Sequence, residues 1–269
     1  MRLAIFLIVI LNQIAWSQIQ SGTVVYFNLA QDELTIAADS RLNIGTGGHD
    51  DTECKISAFG SKFVFSMAGA ARVGPWSGHA VAREVWEKES KVGPDSTLVS
   101  RTLAGWVKEV APIYEAHIAE FRKRVGAGAD PVIANAAFAG VDREGKITVK
   151  IVDIDFDLQL FDSTGKAVIV PQIHDIPVNS SSSIGLDEVA IEFRSQTTER
   201  AQDYMAWFKR RISTLPRDQQ NAELASKYVE LSILLHPRKT ELAFPIDVLQ
   251  LRSNGPVKWF WKKPNCQDK

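Results

Sequence analysis

The chain has 269 residues, of which 45% are hydrophobic, and its 31 basic and 32 acidic residues give a formal net charge of -1. This composition is typical of one globular domain with a substantial core and excludes an intrinsically disordered chain. The charges are interspersed, so the sequence has neither the basic footprint of a nucleic-acid-binding protein nor a polybasic face for anionic lipid.

The N-terminus has the layout of a signal peptide. Arg2 precedes an apolar run over residues 3–11, and Ala15 and Ser17 supply the small residues that a signal peptidase reads. The run is shorter than the roughly 20 residues that a membrane-spanning helix needs. We therefore predict a signal peptide at residues 1–17, export to the periplasm or the exterior, and no stable membrane span after its removal. A buried N-terminal strand or helix is the alternative.

Strands dominate the next part of the chain. Residues 23–28 and 34–38 are β-branched and aromatic around a polar turn, which predicts a hairpin. A glycine-rich loop at residues 45–48 follows. Residues 54–59 and 62–68 then predict a second pair of strands.

Helical periodicity begins after these strands. We predict helices at residues 77–91 and 96–125, with Pro112 kinking or dividing the second. The remaining predictions are strands at 132–140, 147–154 and 167–170, a loop at the four serines 180–183, helices at 187–214 and 218–235, and strands at 246–251 and 257–261. This order predicts an α+β fold in which two antiparallel sheets lie between helical layers, rather than a doubly wound sheet.

The cysteine and histidine residues indicate no metal site. Cys54 and Cys266 are far apart in sequence, so the pattern leaves their pairing open, although a disulfide can persist in an exported protein. The five histidines lack the spacing of a zinc site or a hydrolase triad, and a structural or surface role is expected for those on helices.

Four short motifs carry the chemical signal. They are Ser21-Gly22-Thr23-Val24-Val25, Ala37-Ala38-Asp39-Ser40-Arg41, Cys54-Lys55-Ile56 and Ser66-Met67-Ala68-Gly69-Ala70. Thr23 precedes Asp39 by 16 residues, Asp39 precedes Lys55 by 16, and Lys55 precedes Gly69 by 14. In type and spacing these motifs resemble the first third of a proteasome β subunit, a member of the N-terminal-nucleophile (Ntn) hydrolase family. The resemblance covers roughly residues 22–72.

The resemblance implies a fold, an activity and a processing step. It implies a four-layer αββα sandwich over residues 23–269, of the kind found in an exported bacterial member of the family. It further implies a threonine endopeptidase without a cofactor, whose propeptide, residues 18–22, is removed by cleavage after Gly22. Gly22 lacks a side chain, which lets the backbone bend so that the Thr23 hydroxyl reaches the preceding carbonyl.

The implied roles agree with elementary chemistry. An N-terminal threonine carries its own base, because its α-amine has a pKa of about 8. Lys55 places a positive charge that favours the alkoxide, and Asp39 orients Lys55 by a charge-assisted hydrogen bond. Gly69 offers a backbone N–H to the oxyanion.

Three further positions are implied to bind substrate. Asn43 and Ala71, with Arg41, fall where the family supports the site or contacts substrate through the main chain. Met67 falls where the family walls the first specificity pocket.

The resemblance weakens toward the C-terminus. The family has a Gly-Ser-Gly motif before its third helix and an aspartate followed by a serine near its end, whereas this chain has Ile184-Gly185-Leu186-Asp187 and residues 236–241 in those regions. Asp187, Thr240 and Glu241 are the candidate substitutes.

Three functional classes stay open at this point. They are a threonine peptidase, an Ntn amidase or acylase that acts on a small non-peptide amide, and a non-catalytic proteasome-like structural subunit. The combination of Asp39, Lys55 and Gly69 argues against the third class, because a scaffold has no need of all three. Assembly into a homo-oligomer is not readable from the sequence.

Overall fold

The computed structural model describes residues 19–20, 23–44, 48–51, 54–125, 132–166, 168–237, 239–264 and 266. The predicted signal peptide at residues 1–17 and the processing residue Gly22 lie outside these residues. No helix among the described residues is long and apolar enough to cross a membrane.

The fold is a mixed α/β structure built on two five-stranded antiparallel sheets. Sheet I contains, in spatial order, β13 (Ser180–Gly185), β2 (Val24–Leu29), β3 (Glu33–Ala38), β14 (Asp247–Arg252) and β15 (Lys258–Trp261). Sheet II contains β12 (Ile169–Asp175), β11 (Ile147–Phe156), β10 (Ala134–Val141), β7 (Phe63–Gly69) and β6 (Ile56–Phe59).

Two smaller sheets lie beside them. One joins β1 (Ile19–Gln20), β8 (Arg72–Val73) and β9 (Trp76–Ser77), and the other joins β4 (Leu42–Ile44) and β5 (Gly48–Asp50). In the first of these sheets β1 pairs antiparallel with β8, so that Ile19 lies opposite Val73.

The described residues include seven α-helices. They are α1 (Gly78–Glu89), α2 (Leu98–Ala116), α3 (Ile118–Val125), α4 (Leu158–Thr164), α5 (Glu188–Ser195), α6 (Glu199–Ile212) and α7 (Arg217–Leu235), with 3₁₀ turns at Asp95–Thr97 and Lys239–Glu241.

Strand alternation divides the core into three hydrophobic clusters. In β2, Val25 and Phe27 belong to a cluster that both sheets share, whereas Val24 and Tyr26 face a cluster formed with α5, α6 and α7. In β7 the same alternation places Val64 and Ala68 in the shared cluster. Phe63, Phe65 and Met67 point to the other face and belong to a third cluster with α1 and α2. Both sheets are therefore buried on two faces.

Several predicted elements are wrong in detail. The four serines at 180–183 were expected in a loop, but they form most of β13, because pairing with β2 supplies main-chain hydrogen bonds that override weak strand propensity. Residues 187–214 are predicted as one helix but form two. The first ends because Gln196 adopts a left-handed conformation with φ 51°. Pro112, predicted to kink or divide the helix at residues 96–125, lies inside α2. The helix is divided later, at His117.

The two cysteines, whose pairing the sequence left open, form a disulfide. Cys54 and Cys266 have Cα atoms 5.5 Å apart across a sequence separation of 212 residues. The bond links the segment before β6 of sheet II to the segment after β15 of sheet I.

Candidate active site

Thr23 directly precedes β2, and the residues at the end of β13 contact its backbone. The residue is only 1% exposed. Its carbonyl oxygen accepts a hydrogen bond from the Leu186 N–H at 2.8 Å. Gly185 has φ +86°, and a Cβ atom there would lie 2.0 Å from the Thr23 oxygen, so only glycine permits this approach.

Asp39 contacts the main chain of Thr23 from the end of β3. Its Oδ1 accepts a hydrogen bond at 3.0 Å from the N–H of Val24, which belongs to the peptide that joins Thr23 to Val24. Its Oδ2 accepts hydrogen bonds from the N–H groups of Arg41 at 3.0 Å and Ala243 at 3.3 Å. Burial raises the pKa of Asp39 to about 6, against the opposing effects of the Lys55 charge and these three bonds.

Lys55 lies immediately before β6 and is 1% exposed. Its positive charge acts on Asp39, where it lowers the carboxyl pKa. It also acts on His79 of α1, whose pKa is lowered to about 3 by burial first and then by the charges of Lys55 and other basic residues. Lys55 is therefore near enough for its charge to act on both Asp39 and His79, so the structure brings the sequence-predicted Asp39 and Lys55 into one electrostatic environment.

Gly69 ends β7 in a conformation that requires glycine. Its φ is +79°, and a Cβ atom there would lie 2.6 Å from the Ile133 oxygen. The Ala70 N–H donates to that same oxygen at 2.9 Å. The preceding residue, Ala68, lies 2.8 Å from the point where a Gly185 Cβ would stand. This contact brings the end of β7 beside the Thr23 backbone.

The three residues expected to bind substrate lie around these strand ends. Asn43 is half-buried in β4 and donates from Nδ2 to the Glu241 oxygen at 3.2 Å. Ala71 is buried, and its oxygen accepts from the Gly78 N–H at 3.0 Å. Met67 is fully buried in the core, with its sulfur 2.4 Å from the Cβ position that Gly78 lacks. Gly22, the expected processing residue, lies outside the described residues.

Sequence reasoning missed the part of the site that β13 supplies. The Gly185-Leu186 backbone holds Thr23, and the next residue, Asp187, has its pKa raised by burial, with a Ser183 hydrogen bond acting in the opposite direction. The sequence indicates Asp187 only as one of three candidate substitutes, with Thr240 and Glu241. Gly185, two residues after the serine run, was the available signal in the sequence. Its role beside Thr23 cannot be predicted without knowing that β13 pairs with β2.

A groove of about 430 Å³ adjoins this part of the site. Gly185 and Asp187 both line it. Its other polar lining groups include Asn135, Asp153, His174 and the serines 180–183. Among the described residues, no group of three His, Cys, Asp or Glu side chains is arranged to hold a metal ion.

Comparison with known proteins adds no family to this description. No protein-family model matches the chain, and no curated protein matches it.

Proposed function

We propose that this chain is a threonine-type Ntn hydrolase that cleaves peptide bonds with Thr23, exposed by cleavage after Gly22, as its nucleophile. The observation that carries the proposal is the buried contact between the Asp39 carboxylate and the Thr23–Val24 peptide, with the charge of Lys55 beside it. The carboxylate and the lysine are both almost without solvent access, and the carboxylate bonds the peptide of the threonine that the proposed cleavage would turn into an N-terminus.

The proposed fold is the four-layer αββα sandwich of that class. Two antiparallel sheets share one hydrophobic cluster, and each has a further cluster with helices on its other face. Such packing suits two sheets stacked between helical layers.

In the proposed mechanism each residue has one task. The freed α-amine of Thr23 takes the proton of its own hydroxyl, and the oxygen attacks the substrate carbonyl. Lys55 stabilises the negative charge on the attacking oxygen, while Asp39 fixes the electrostatic environment of Lys55. The N–H of Gly69 donates to the oxyanion of the tetrahedral intermediate, a contribution of roughly 3 kcal/mol.

The same nucleophile would release itself. The Thr23 hydroxyl attacks the Gly22 carbonyl, the Gly22–Thr23 amide bond breaks, and the proton passes to the nitrogen, leaving an ester. Water then hydrolyses the ester, which gives a Gly22 carboxylate, the Thr23 hydroxyl and the free amine. No other reactant is needed.

A peptide substrate is favoured over a small amide by the binding of the segment before Thr23. Ile19–Gln20 pair as an antiparallel strand with Arg72–Val73, just beyond Ala71. Removal of this segment would leave the β8 edge open to another extended peptide, which main-chain hydrogen bonds would hold. The groove beside Gly185 offers further room for such a chain.

The test is covalent labelling with a threonine-directed peptide epoxyketone, followed by mass spectrometry. We expect one adduct on Thr23 in the wild type, none in Thr23→Ala, and an unchanged adduct in Thr148→Ala, which removes a hydroxyl from β11. Labelling without turnover of any peptide would favour the amidase alternative. Absence of labelling in correctly folded wild type would reject the nucleophile.

A further inference from the structure

Two cross-links fasten the C-terminal residues to the region of the candidate site. One is the disulfide between Cys54 and Cys266. The other is the ion pair between Lys263 Nζ and Asp247 Oδ2 at 2.8 Å. We call these four residues the C-terminal clasp.

The ion pair of the clasp is buried and is joined to the disulfide. The side chains of Lys263 and Asp247 are 3% and 0% exposed, and the Lys263 N–H also donates to Asp247 Oδ1 at 2.9 Å. The Cys266 N–H donates to the Lys263 oxygen at 3.0 Å, which joins the ion pair to the disulfide through one turn. Loss of either partner would leave the other charge buried without compensation.

The two ends of the clasp attach beside the two charged residues of the site. Cys54 directly precedes Lys55, at the start of β6 in sheet II. Asp247 begins β14 in sheet I and lies opposite Ala38, the residue before Asp39. The clasp therefore joins the chain that carries Lys55 to the strand pair that carries Asp39.

We propose that the C-terminal clasp is a positioning element of the site, which holds Lys55 at its place beside Asp39. Asp39 and Lys55 belong to different sheets, and apolar packing between sheets constrains sliding less sharply than a covalent bond and a buried ion pair do. The inference rests on the proposed function of Thr23, because that chemistry is what needs Lys55 in place.

Positioning of this kind has a measurable consequence. A displacement of about 1 Å in a catalytic group can cost on the order of 100-fold in rate. Movement of Lys55 away from Asp39 would also remove a charge that lowers the Asp39 pKa. Arg41, on whose pKa the Asp39 charge acts, follows β3 directly and would stay.

The experiment compares two clasp variants with a matched control in the full-length protein. Cys54→Ser/Cys266→Ser removes the disulfide, and Lys263→Met/Asp247→Asn replaces the ion pair without leaving a buried charge. Lys258→Met removes an exposed Lys–Asp pair, with Asp218 at 3.0 Å, from the same C-terminal segment. Epoxyketone labelling of Thr23 is followed as a function of pH, on samples whose folded fraction is measured.

We expect labelling of the folded clasp variants to fall roughly 100-fold, with the acidic limb of the profile moved to higher pH, and Lys258→Met to match the wild type. A merely structural clasp would lower the melting temperature but leave the rate and the acidic limb of the folded fraction unchanged. That result would overturn the inference while leaving the proposed function intact.

A second readout does not depend on hydrolysis. His79 Nδ1 lies 2.8 Å from the Ser57 hydroxyl, two residues beyond Lys55, and its pKa of about 3 depends on burial and on the charges of Lys55 and Lys263, among others. We expect the ring NMR signals of His79, assigned with His79→Gln, to shift at pH 7 in Cys54→Ser/Cys266→Ser, because displacement of Lys55 changes the charge that acts on this ring, and to match the wild type in Lys258→Met. If wild type is never labelled, the proposed function fails, and His79 signals that stay unchanged in Cys54→Ser/Cys266→Ser would then overturn the clasp as well.

Discussion

Two buried aspartate–lysine arrangements lie in this molecule, and they are built differently. Asp39 and Lys55 are 0% and 1% exposed, and Asp247 and Lys263 are 0% and 5% exposed. Asp247 receives the ammonium of Lys263 at 2.8 Å and its N–H at 2.9 Å. Asp39 accepts three main-chain N–H bonds, from Val24, Arg41 and Ala243, and the charge of Lys55 also acts on it.

The difference indicates a structural role for the Asp247–Lys263 pair and fits the catalytic role proposed for Asp39 and Lys55. In the Asp247–Lys263 pair each charge depends on the other, so loss of one leaves the second buried without compensation. Asp39 is fixed by the backbone whatever the lysine does. In the proposed mechanism Lys55 interacts with the reacting oxygen while these main-chain bonds keep the carboxylate in place.

Lys55→Met is the substitution with the largest expected effect, and it tests the catalytic role of the Asp39–Lys55 arrangement. We expect self-cleavage and epoxyketone labelling to fall by a factor on the order of 1,000 or more, the range of a lost acid–base or charge-stabilising group. The fold should persist, because the main-chain bonds to Asp39 remain and the carboxyl group can take up a proton. Mass spectrometry reports labelling and circular dichroism reports folding, with Lys62→Met, in the exposed β6–β7 turn, as the control. Labelling of Lys55→Met at the wild-type rate would remove this lysine from the mechanism.

The opposite pattern is expected of Lys263→Met. The change leaves Asp247 buried without its cation, which should lower the free energy of unfolding by about 3–5 kcal/mol at pH 7. Urea unfolding measures the loss, and adding Asp247→Asn should recover part of it.

The matched control for this prediction is Lys258→Met, whose pair with Asp218 is exposed on the lysine side. We expect it to cost less than about 1 kcal/mol. A similar cost for Lys258→Met and Lys263→Met would contradict the reading of Asp247–Lys263 as a buried structural pair.

The smallest expected effect is the pH dependence that Asp39 contributes. Its folded-state pKa of about 6 lies above the ordinary 3.8, so the folded protein holds this proton more tightly than the unfolded chain. The resulting stabilisation is complete below pH 3.8 and is lost as the pH rises through 6, by at most about 3 kcal/mol. Labelling should rise over the same range, since the ionised carboxylate is the active form.

Carbon-13 NMR of the Asp39 carboxyl group measures this directly. We expect a titration midpoint near 6, with the acidic limb of the labelling profile at the same pH. A midpoint at or below 4 would mean that burial does not dominate at this carboxylate.

The strand ends that carry the candidate site were largely readable from the sequence. The hairpin before Asp39 was predicted at residues 23–28 and 34–38 and is found at Val24–Leu29 and Glu33–Ala38. The alternation of β-branched and aromatic residues is a local signal, so it predicts a strand without knowledge of the rest of the fold. The second pair of strands, predicted at residues 54–59 and 62–68 and found at Ile56–Phe59 and Phe63–Gly69, likewise positions Lys55 and Gly69.

The remainder of the site depends on contacts between distant residues. Serines 180–183 have little strand character of their own, and only pairing with β2 makes them β13 and carries Gly185 to Thr23. The bond from Ala243 to Asp39 spans 204 residues, and the disulfide spans 212. No local pattern announces such contacts, which explains why the clasp and the Gly185 contact were missed.

The central claim is that Thr23 becomes the first residue of the mature protein and acts as its nucleophile. N-terminal sequencing and intact mass of the protein from its native compartment, compared with Thr23→Ala, test this most directly. We predict that the wild type begins at Thr23 and that the variant retains residues 18–22. A folded wild-type protein that keeps residues 18–22 would contradict the claim.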